Sequence, residues 1–130
     1  MCSSDLAPLE VEQVYLSALG TAVETLLSGG TSVVDHLVLI PGKEIETIAA
    51  AVKAYQEVGI RAFIGPLIQD ESLTAGMPDG EYKRKHEAYL RSTKATLDLM
   101  QEAVDKFHNP VKGVNILVAP TGIQIGRAHV

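Results

Sequence analysis

One segment, residues 60–67, constrains the fold more than any other, because almost all of its side chains are apolar. A strand with a solvent-facing side alternates between apolar and polar residues, whereas a strand covered on both faces is apolar throughout. Two further segments, 31–38 and 114–119, are rich in β-branched or apolar residues and predict two more strands. Together the three segments predict a parallel sheet with helices on both sides.

Amphipathic segments alternate with these strands. Apolar residues recur in them at intervals of three and four, which predicts three helices. The predicted helices cover residues 9–28, 43–58 and 81–107, and a loop is predicted over 70–80. Gly59 ends the second helix and Pro110 follows the third, as glycine and proline commonly do at helix C-termini. The α-β-α-β-α-β order, with connections long enough for right-handed crossovers, predicts an α/β domain.

Charge and cysteine content exclude several classes of protein. Asp and Glu outnumber Lys and Arg by 16 to 11, which gives a net charge of -5 and no evident basic face. This charge argues against nucleic acid and against a membrane surface as partners. No apolar run approaches the roughly 20 residues of a membrane-spanning helix, and a signal peptide is not expected. The single cysteine, Cys2, excludes a disulfide scaffold and a cysteine-ligated zinc site, and a cytoplasmic location is expected.

The two ends, residues 1–6 and 124–130, are related to each other at the level of DNA. The codons GTG TGC TCT TCC GAT CT encode residues 1–6 when GTG is read as a start. Their reverse complement, AGATCGGAAGAGCACAC, read out of phase, encodes the sequence Ile-Gly-Arg-Ala-His of residues 125–129. Such a pair is typical of a sequencing-library adapter read through on both sides. We therefore expect residues 7–123 to be a fragment of a longer protein, flanked by two adapter-like artefacts.

Polar residues at the carboxyl ends of the strands are the candidates for function, because parallel α/β folds place their sites there. Asp35 and His36 end one strand, Gln69 follows the next, and Thr121 follows the third. Neighbours on an extended strand point to opposite faces, so Asp35 and His36 cannot pair with each other. A structural alternative exists for them, as a satisfied polar group at a strand end or as part of a solvated loop or helix cap.

Two other histidines and a glycine pair carry little functional signal. His86 and His108 lie in or just after the third predicted helix, where solvent exposure or interaction with the helix C-terminus is expected. Gly29 and Gly30 lie between a helix and the following strand, whereas phosphate loops run from strand to helix. The phosphate-loop, dinucleotide-binding, H-x-x-x-H zinc and nucleophile-elbow motifs are absent from the sequence.

Three stretches, taken in order, carry a resemblance to a known family. LLSGGTSVVDH, ending at His36, contains a helix end, a G-x-T-[ST] turn and a strand that ends in Asp. AAVKAYQEVGIRAFIGPLIQD, ending at Asp70, contains the next helix and a G-[IM]-R-A strand, and VNILVAP ends at Pro120. Together they resemble the amidohydrolase superfamily, the metal-dependent TIM-barrel hydrolases and deaminases. The similarity is greatest to the branch of chlorohydrolases, guanine and 8-oxoguanine deaminases, and adenosylhomocysteine-type deaminases.

The resemblance implies a partial (β/α)8 TIM barrel, containing barrel strands two to four and their helices. It implies a metal-dependent hydrolase acting on C–N bonds, with C–Cl bonds as the second choice, and in particular a deaminase or aminohydrolase of a heterocyclic or small amide substrate. Such enzymes hold zinc or iron through His and Asp residues of other barrel strands, so no metal ligand or catalytic residue is assigned here. Asp35, His36, Gln69 and Thr121 would line the substrate side of the pocket. The fragment alone is expected to be inactive and metal-free, and homo-oligomerisation is left open.

Two alternatives remain open from the sequence. One is another TIM-barrel enzyme, such as an aldolase or isomerase, whose phosphate site would follow strands outside this segment. The other is a flavodoxin-like or receiver-like binding module, which needs about five strands in a doubly wound order. A doubly wound sheet would place the first strand between the other two, whereas a barrel fragment places the three strands side by side in chain order.

Removal of the two adapter-like segments is predicted to leave the stability of the domain unchanged. Residues 1–6 and 124–130 were not selected together with the fold, so deleting both should change the free energy of unfolding by less than about 0.5 kcal/mol. Urea unfolding of residues 1–130 and of residues 7–123, followed by circular dichroism, checks this. A loss of more than about 2 kcal/mol would show that the ends belong to the folded domain.

Overall fold

A computed structural model describes residues 9–69 and 91–120 of the chain. The elements in order are α1 (Val11–Leu27), β1 (Ser32–Leu37), α2 (Glu44–Val58), β2 (Arg61–Ile68), α3 (Thr93–Phe107), a 3-10 turn (Pro110–Lys112), β3 (Val114–Ile116) and β4 (Ala119–Pro120). The first two helices and first two strands lie within two residues of the predicted bounds. The predicted loop 70–80, His86, Thr121 and both chain ends lie outside the described residues.

The described strands form a parallel sheet in which β1, β2 and β3 lie in chain order, with β2 in the centre. Ser32 lies opposite Arg61 and Leu37 opposite Pro66, so β1 and β2 end at the same level. Ala62 lies opposite Val114 in β3, and Leu67 lies opposite Ala119 in β4. Adjacent strands in chain order are the arrangement of a partial (β/α)8 barrel and not of a doubly wound domain, which confirms the predicted fold class.

The third strand is interrupted, and the prediction of one strand over 114–119 is wrong in this respect. Ala62 N–H donates to Gly113 O, and Leu117 N–H donates to Ile64 O, both at 2.8 Å. On the side of β2 that faces β3, the next N–H donor would belong to residue 66. This residue is a proline and has no N–H. The ladder therefore breaks after β3 and resumes in the same register at β4, where Leu67 lies opposite Ala119.

The third helix is shorter at its start than the predicted helix over 81–107. It begins at Thr93, after two non-helical residues, and residues 81–90 lie outside the described part of the chain. Ser92 is its N-cap, with an extended backbone and a side-chain oxygen that accepts a hydrogen bond from Ala95 N–H at 3.2 Å. A serine in this position satisfies one of the N–H groups that have no partner within the helix. Hydrophobic periodicity does not detect such a cap, which explains the error.

The hydrophobic core lies between the helices and one face of the sheet. Alanines on α2 are fully buried, including Ala51 and Ala54, and allow the neighbouring elements to approach closely. Ile64 of β2 and Val114 of β3 are also fully buried beneath this helix layer. On the opposite face, side chains of β1 such as Val34 are exposed. Within the described residues the expected helix cover is thus present on one face of the sheet, as in a barrel whose inner face is lined by its own strands.

None of the helices in the described part of the chain is both long enough and apolar enough to cross a bilayer.

Replacement of Ser92 by alanine is predicted to destabilise the protein by about 1 kcal/mol, because the N-cap hydrogen bond is lost. Urea unfolding measures the change, and Ser92→Asp is the matched control, since aspartate also caps helices. A serine in the middle of a continuous helix over 81–107 would behave in the opposite way. Its replacement by alanine would then stabilise the protein by a few tenths of a kcal/mol.

Candidate functional site

A cavity of about 280 Å³ lies at the carboxyl edge of the sheet. The edge is formed where β1 and β2 end and where α3 begins, since a helix that follows a parallel strand starts at that strand's carboxyl end. The walls are largely apolar, with Val38 and Leu39 after β1, Leu67 on β2 and Leu99 on α3. A small number of polar side chains also lines the cavity, as is typical of sites for small molecules.

An ion pair closes one side of the cavity. Arg91, just before α3, pairs with the carboxylate of Glu44 at the start of α2. The same carboxylate oxygen accepts a hydrogen bond from Gly42 N–H at 3.0 Å. Partial burial opposes the charge of Glu44, but the hydrogen bonds from Gly42, from Arg91 and from its own N–H outweigh burial and lower its pKa. The carboxylate of Glu44 is therefore already hydrogen-bonded within the chain, and the Glu44–Arg91 ion pair links α2 to the start of α3.

Thr96 is the second polar feature of the cavity. Its residue surface is 6% exposed, and its hydroxyl has no hydrogen-bond partner among the described residues. Buried hydroxyls normally have a partner, since an unpartnered one costs about 1–3 kcal/mol. Thr96 lies one turn into α3, a helix whose first turn carries no acidic residue. The partial positive charge of this helix N-terminus is thus not compensated by a carboxylate of its own first turn.

Asp35 and His36 are separated by the sheet and do not share a site. Asp35 faces the helix layer, where its Oδ2 accepts a hydrogen bond from Tyr55 OH at 2.6 Å. Burial of Tyr55, followed by its hydrogen bond to Asp35 and the charge of that carboxylate, raises the pKa of the phenol. His36, the next residue on β1, is exposed and lies beside Gly65 of β2. Asp35 in this structure holds β1 to α2.

Gln69 is the one candidate from the sequence that the described residues place in the cavity. Asp35 lines a different cavity of about 250 Å³ between α1 and β1. His108, after α3, accepts a hydrogen bond at Nδ1 from Ile116 N–H at 3.1 Å, which is a structural contact. No group of three or more His, Cys, Asp or Glu residues in the described ranges is arranged to hold a metal ion.

Three cavity residues, Glu44, Arg91 and Thr96, were not identified from the sequence. Glu44 follows the Pro41-Gly42 turn and is the first residue of α2, a position where carboxylates are common. Arg91 and Thr96 flank the Ser92 cap, so recognising the cap would have placed both near a helix start. Nothing in the local sequence indicates that Thr96 lacks a partner, because this depends on the packing of α3 against α2 and β3.

Comparison with known proteins supplies structural neighbours only, since no protein-family model and no curated protein sequence matches the chain. The chain is similar to the atrazine chlorohydrolase TrzN from Arthrobacter aurescens TC1 complexed with zinc, at 20% identity and a TM-score of 0.75. That match covers 92% of this chain and 26% of the chlorohydrolase. A substituted form of the same enzyme, complexed with zinc and atraton, matches equally at 20% identity and a TM-score of 0.75, with 92% and 26% coverage.

A variant of triazine hydrolase gives the same result, with 20% identity, a TM-score of 0.76, and coverage of 93% of this chain and 26% of that one. The chain therefore spans about a quarter of the length of the solved structures that it matches. At this level of identity the likeness shows the fold.

Replacement of Tyr55 by phenylalanine is predicted to destabilise the protein by about 1–2 kcal/mol. The change removes the hydrogen bond to Asp35 and leaves a partly buried carboxylate without its donor. Thermal and urea unfolding measure the loss. Tyr15→Phe is the matched control, because Tyr15 also donates to a carboxylate, that of Glu57, but at the surface. Equal effects of the two substitutions would contradict a structural role for the Tyr55–Asp35 bond.

Proposed function

We propose that this chain is a section of the barrel domain of a metal-dependent hydrolase of the amidohydrolase type. One observation carries the proposal: the three stretches that resemble this superfamily fold onto consecutive α-β units whose strands lie side by side in one parallel sheet. The same path of the chain is found in a zinc-complexed chlorohydrolase and in a triazine hydrolase variant. The sequence resemblance and the fold likeness are separate observations, and both support the same class of enzyme.

The proposed reaction is hydrolysis of a C–N bond in a heterocyclic or small amide substrate, with release of ammonia or an amine. Hydrolysis of a C–Cl bond is the second candidate, because two of the structural neighbours are forms of an atrazine chlorohydrolase. The two reactions differ in the leaving group, so the product distinguishes them. The substrate in either case is a small molecule.

The described residues do not fit a catalytic zinc or iron ion. Such a site takes about three converging protein ligands with an open position for water. Asp35 is engaged by Tyr55 on the helix side of the sheet, His36 lies on the other side, and Nδ1 of His108 accepts from Ile116 N–H. We place the metal ligands in parts of the protein beyond this chain, and no step of a metal-dependent reaction is assigned to the residues described.

The proposed contribution of this chain is to the wall of the substrate pocket. Gln69 lies at the carboxyl end of β2, and His36 lies on the sheet face that would form the interior of a closed barrel. Both remain candidates for contact with substrate. Asp35 has its carboxylate bonded to Tyr55, which favours a structural role for it, and Thr121 remains a candidate beyond the described residues.

The first test is to extend the gene sequence on both sides of this segment. The proposal predicts an H-x-H motif on the preceding barrel strand, within about 30 residues upstream of Ala7, since a βαβ unit takes on the order of 30 residues. Further His and Asp ligands should follow downstream. A complete gene without these residues would overturn the proposal directly.

The complete protein is then predicted to bind zinc stoichiometrically and to turn over substrate, whereas the 130-residue chain does neither. Metal is removed with a chelator, zinc is titrated back, and ammonia and chloride release are followed with guanine-like, adenosine-like and chlorotriazine substrates. The 130-residue chain and its His36→Ala variant should give the same zinc titration, without stoichiometric binding in either. Tight one-to-one zinc binding by this chain, with turnover that His36→Ala abolishes, would contradict the placement of the metal site elsewhere.

A further inference from the structure

We propose that the free edge of β1 and the cavity between α1 and β1 together bind an extended peptide segment, which adds to the sheet as a further parallel strand. The inference rests on the fold of this chain and does not depend on the proposed hydrolase. Among the described residues, β1 pairs with β2 only, and a cavity of about 250 Å³ lies beside its other edge. We call this cavity the α1–β1 groove.

Backbone groups along the free edge of β1 form one side of the site. On β2, Ala62 donates its N–H to β3 and Ile64 accepts an N–H from the chain after β3. Successive residues of a strand direct their N–H and C=O groups to opposite sides, so the odd-numbered residues of β2 bond β1. Val34 lies opposite Phe63, and in a parallel ladder the residue opposite a bonding residue directs its own groups away. The N–H and C=O groups of Val34 and His36 therefore point to the free edge, where a strand can bind.

The α1–β1 groove receives the side chains of such a strand. Val33 and Leu37 line it from β1, and Val14 and Ala18 line it from α1. A strand paired with β1 points every second side chain towards the helix layer, at the levels of residues 33, 35 and 37. Aliphatic side chains at the two outer levels would contact these walls, and their removal from water favours binding. Strand addition of this kind takes its affinity from main-chain hydrogen bonds and its specificity from alternate side chains.

Asp35 determines the chemistry of the central level. Its carboxylate lines the groove, and its partner among the described residues is the hydroxyl of Tyr55. The ion pairs recorded between described residues involve other carboxylates. A lysine on the added strand opposite Asp35 would form an opposite-charge pair, whereas a glutamate there would be repelled. The fitting partner is thus a strand with a basic side chain between two aliphatic ones, at alternate positions.

The position of α1 determines the direction of the added strand. An ion pair of 3.2 Å between Glu10 and Lys43 holds the start of α1 beside the turn that follows β1, so α1 begins at the carboxyl edge of the sheet. A strand that leads directly into α1 ends at this edge and runs parallel to β1. The right-handed crossover rule places such a strand on the side of β1 away from β2, which is the free edge.

A second copy of this chain fits the site less well than a peptide does. α2 packs against both α1 and α3, so the helices lie side by side and α1 lies over the free side of β1. Two β1 strands paired about a twofold axis would bring two copies of α1 to the same place. On the other edge of the sheet, β3 has 3 residues, against 6 in β1, and offers a shorter ladder. A peptide strand without its own helix avoids both restrictions.

Binding is tested on the ¹⁵N-labelled 130-residue chain by NMR titration with end-capped synthetic peptides. The peptide TVTKTVT carries the proposed alternation and should bind saturably, with shifts of the amide signals of Ser17 and Val34. TVTETVT should bind at least about fivefold more weakly, because its glutamate is repelled by Asp35. VVTTTKT has the composition and charge of the first peptide without its alternation, and should also bind at least about fivefold more weakly. Equal affinity for TVTKTVT and VVTTTKT would overturn the proposal.

Substitutions locate the site. Ser17→Trp fills the α1–β1 groove and should abolish binding of TVTKTVT, whereas Leu16→Trp is the matched control, since Leu16 is exposed on α1 but does not line the groove. Val34→Pro removes an N–H from the free edge while keeping the bonds of β1 to β2, and should also abolish binding. Circular dichroism of each variant shows that the fold is retained. Binding unchanged by Ser17→Trp would overturn the proposal, as would equal losses in Ser17→Trp and Leu16→Trp.

Two further measurements test the direction of the strand and the identity of the occupant. A nitroxide label at the carboxyl end of TVTKTVT should broaden the signals of Leu9 and Val38, at the carboxyl edge, and a label at its amino end should broaden those of Gly30 and Ser32. The reverse pattern would overturn the parallel direction. Sedimentation velocity of the chain without peptide should show no dimer that Ser17→Trp dissociates. Such a dimer would identify a second copy as the occupant and overturn the assignment of a peptide strand.

Discussion

The pairing of β2 with both of its neighbours is the constraint on which the remaining structure depends. Its register places Leu37 opposite Pro66 and Leu67 opposite Ala119, so the strands finish at one level. Ala62 and Ile64 of the same strand are fully buried against the helix layer. A shift by one residue would move both to the other face of the sheet, because successive side chains alternate. Burial therefore fixes the register, and the register fixes where the carboxyl-edge cavity forms.

Two buried hydroxyls show how differently a polar group can be used beside that sheet. Tyr55 is 2% exposed, and its hydroxyl is satisfied by Asp35, a bond that joins α2 to β1. Thr96 is similarly buried, but its hydroxyl has no partner among the described residues. The first arrangement stabilises the fold. The second is a cost to the fold of about 1–3 kcal/mol.

The elements that could be predicted from the sequence are those whose cause is local. β2 is a continuous apolar run, and α2 ends at Gly59, which has a positive φ of 80° that glycine adopts without strain. The errors arise where the cause is distant or is not periodic. The break between β3 and β4 is caused by Pro66 on the neighbouring strand. The start of α3 is set by the Ser92 cap, although the apolar period continues across it.

The candidate site was predictable in position but not in composition. The rule that parallel strands carry function at their carboxyl ends indicates the edge at which the cavity lies, and Gln69 lies there. The rule cannot indicate which neighbouring side chain is left without a partner. Glu44 and Arg91 are 47 residues apart in the sequence and meet only because α2 and α3 pack side by side. Asp35 and Tyr55 are related in the same way across 20 residues.

The two faces of the sheet differ in a way that bears on the proposed barrel. The helix face is filled by the chain's own side chains, including Ile64 and Val114, which are fully buried. On the other face and just beyond it, Val34 is 69% exposed and Val118 61% exposed. Within the described residues β1 also pairs on one side only, with β2. Apolar side chains next to an unpaired strand edge favour association, and closure with further parallel strands would cover both the side chains and the edge. This physical argument supports a place for the chain within a larger barrel, and it uses neither the sequence resemblance nor the structural neighbours.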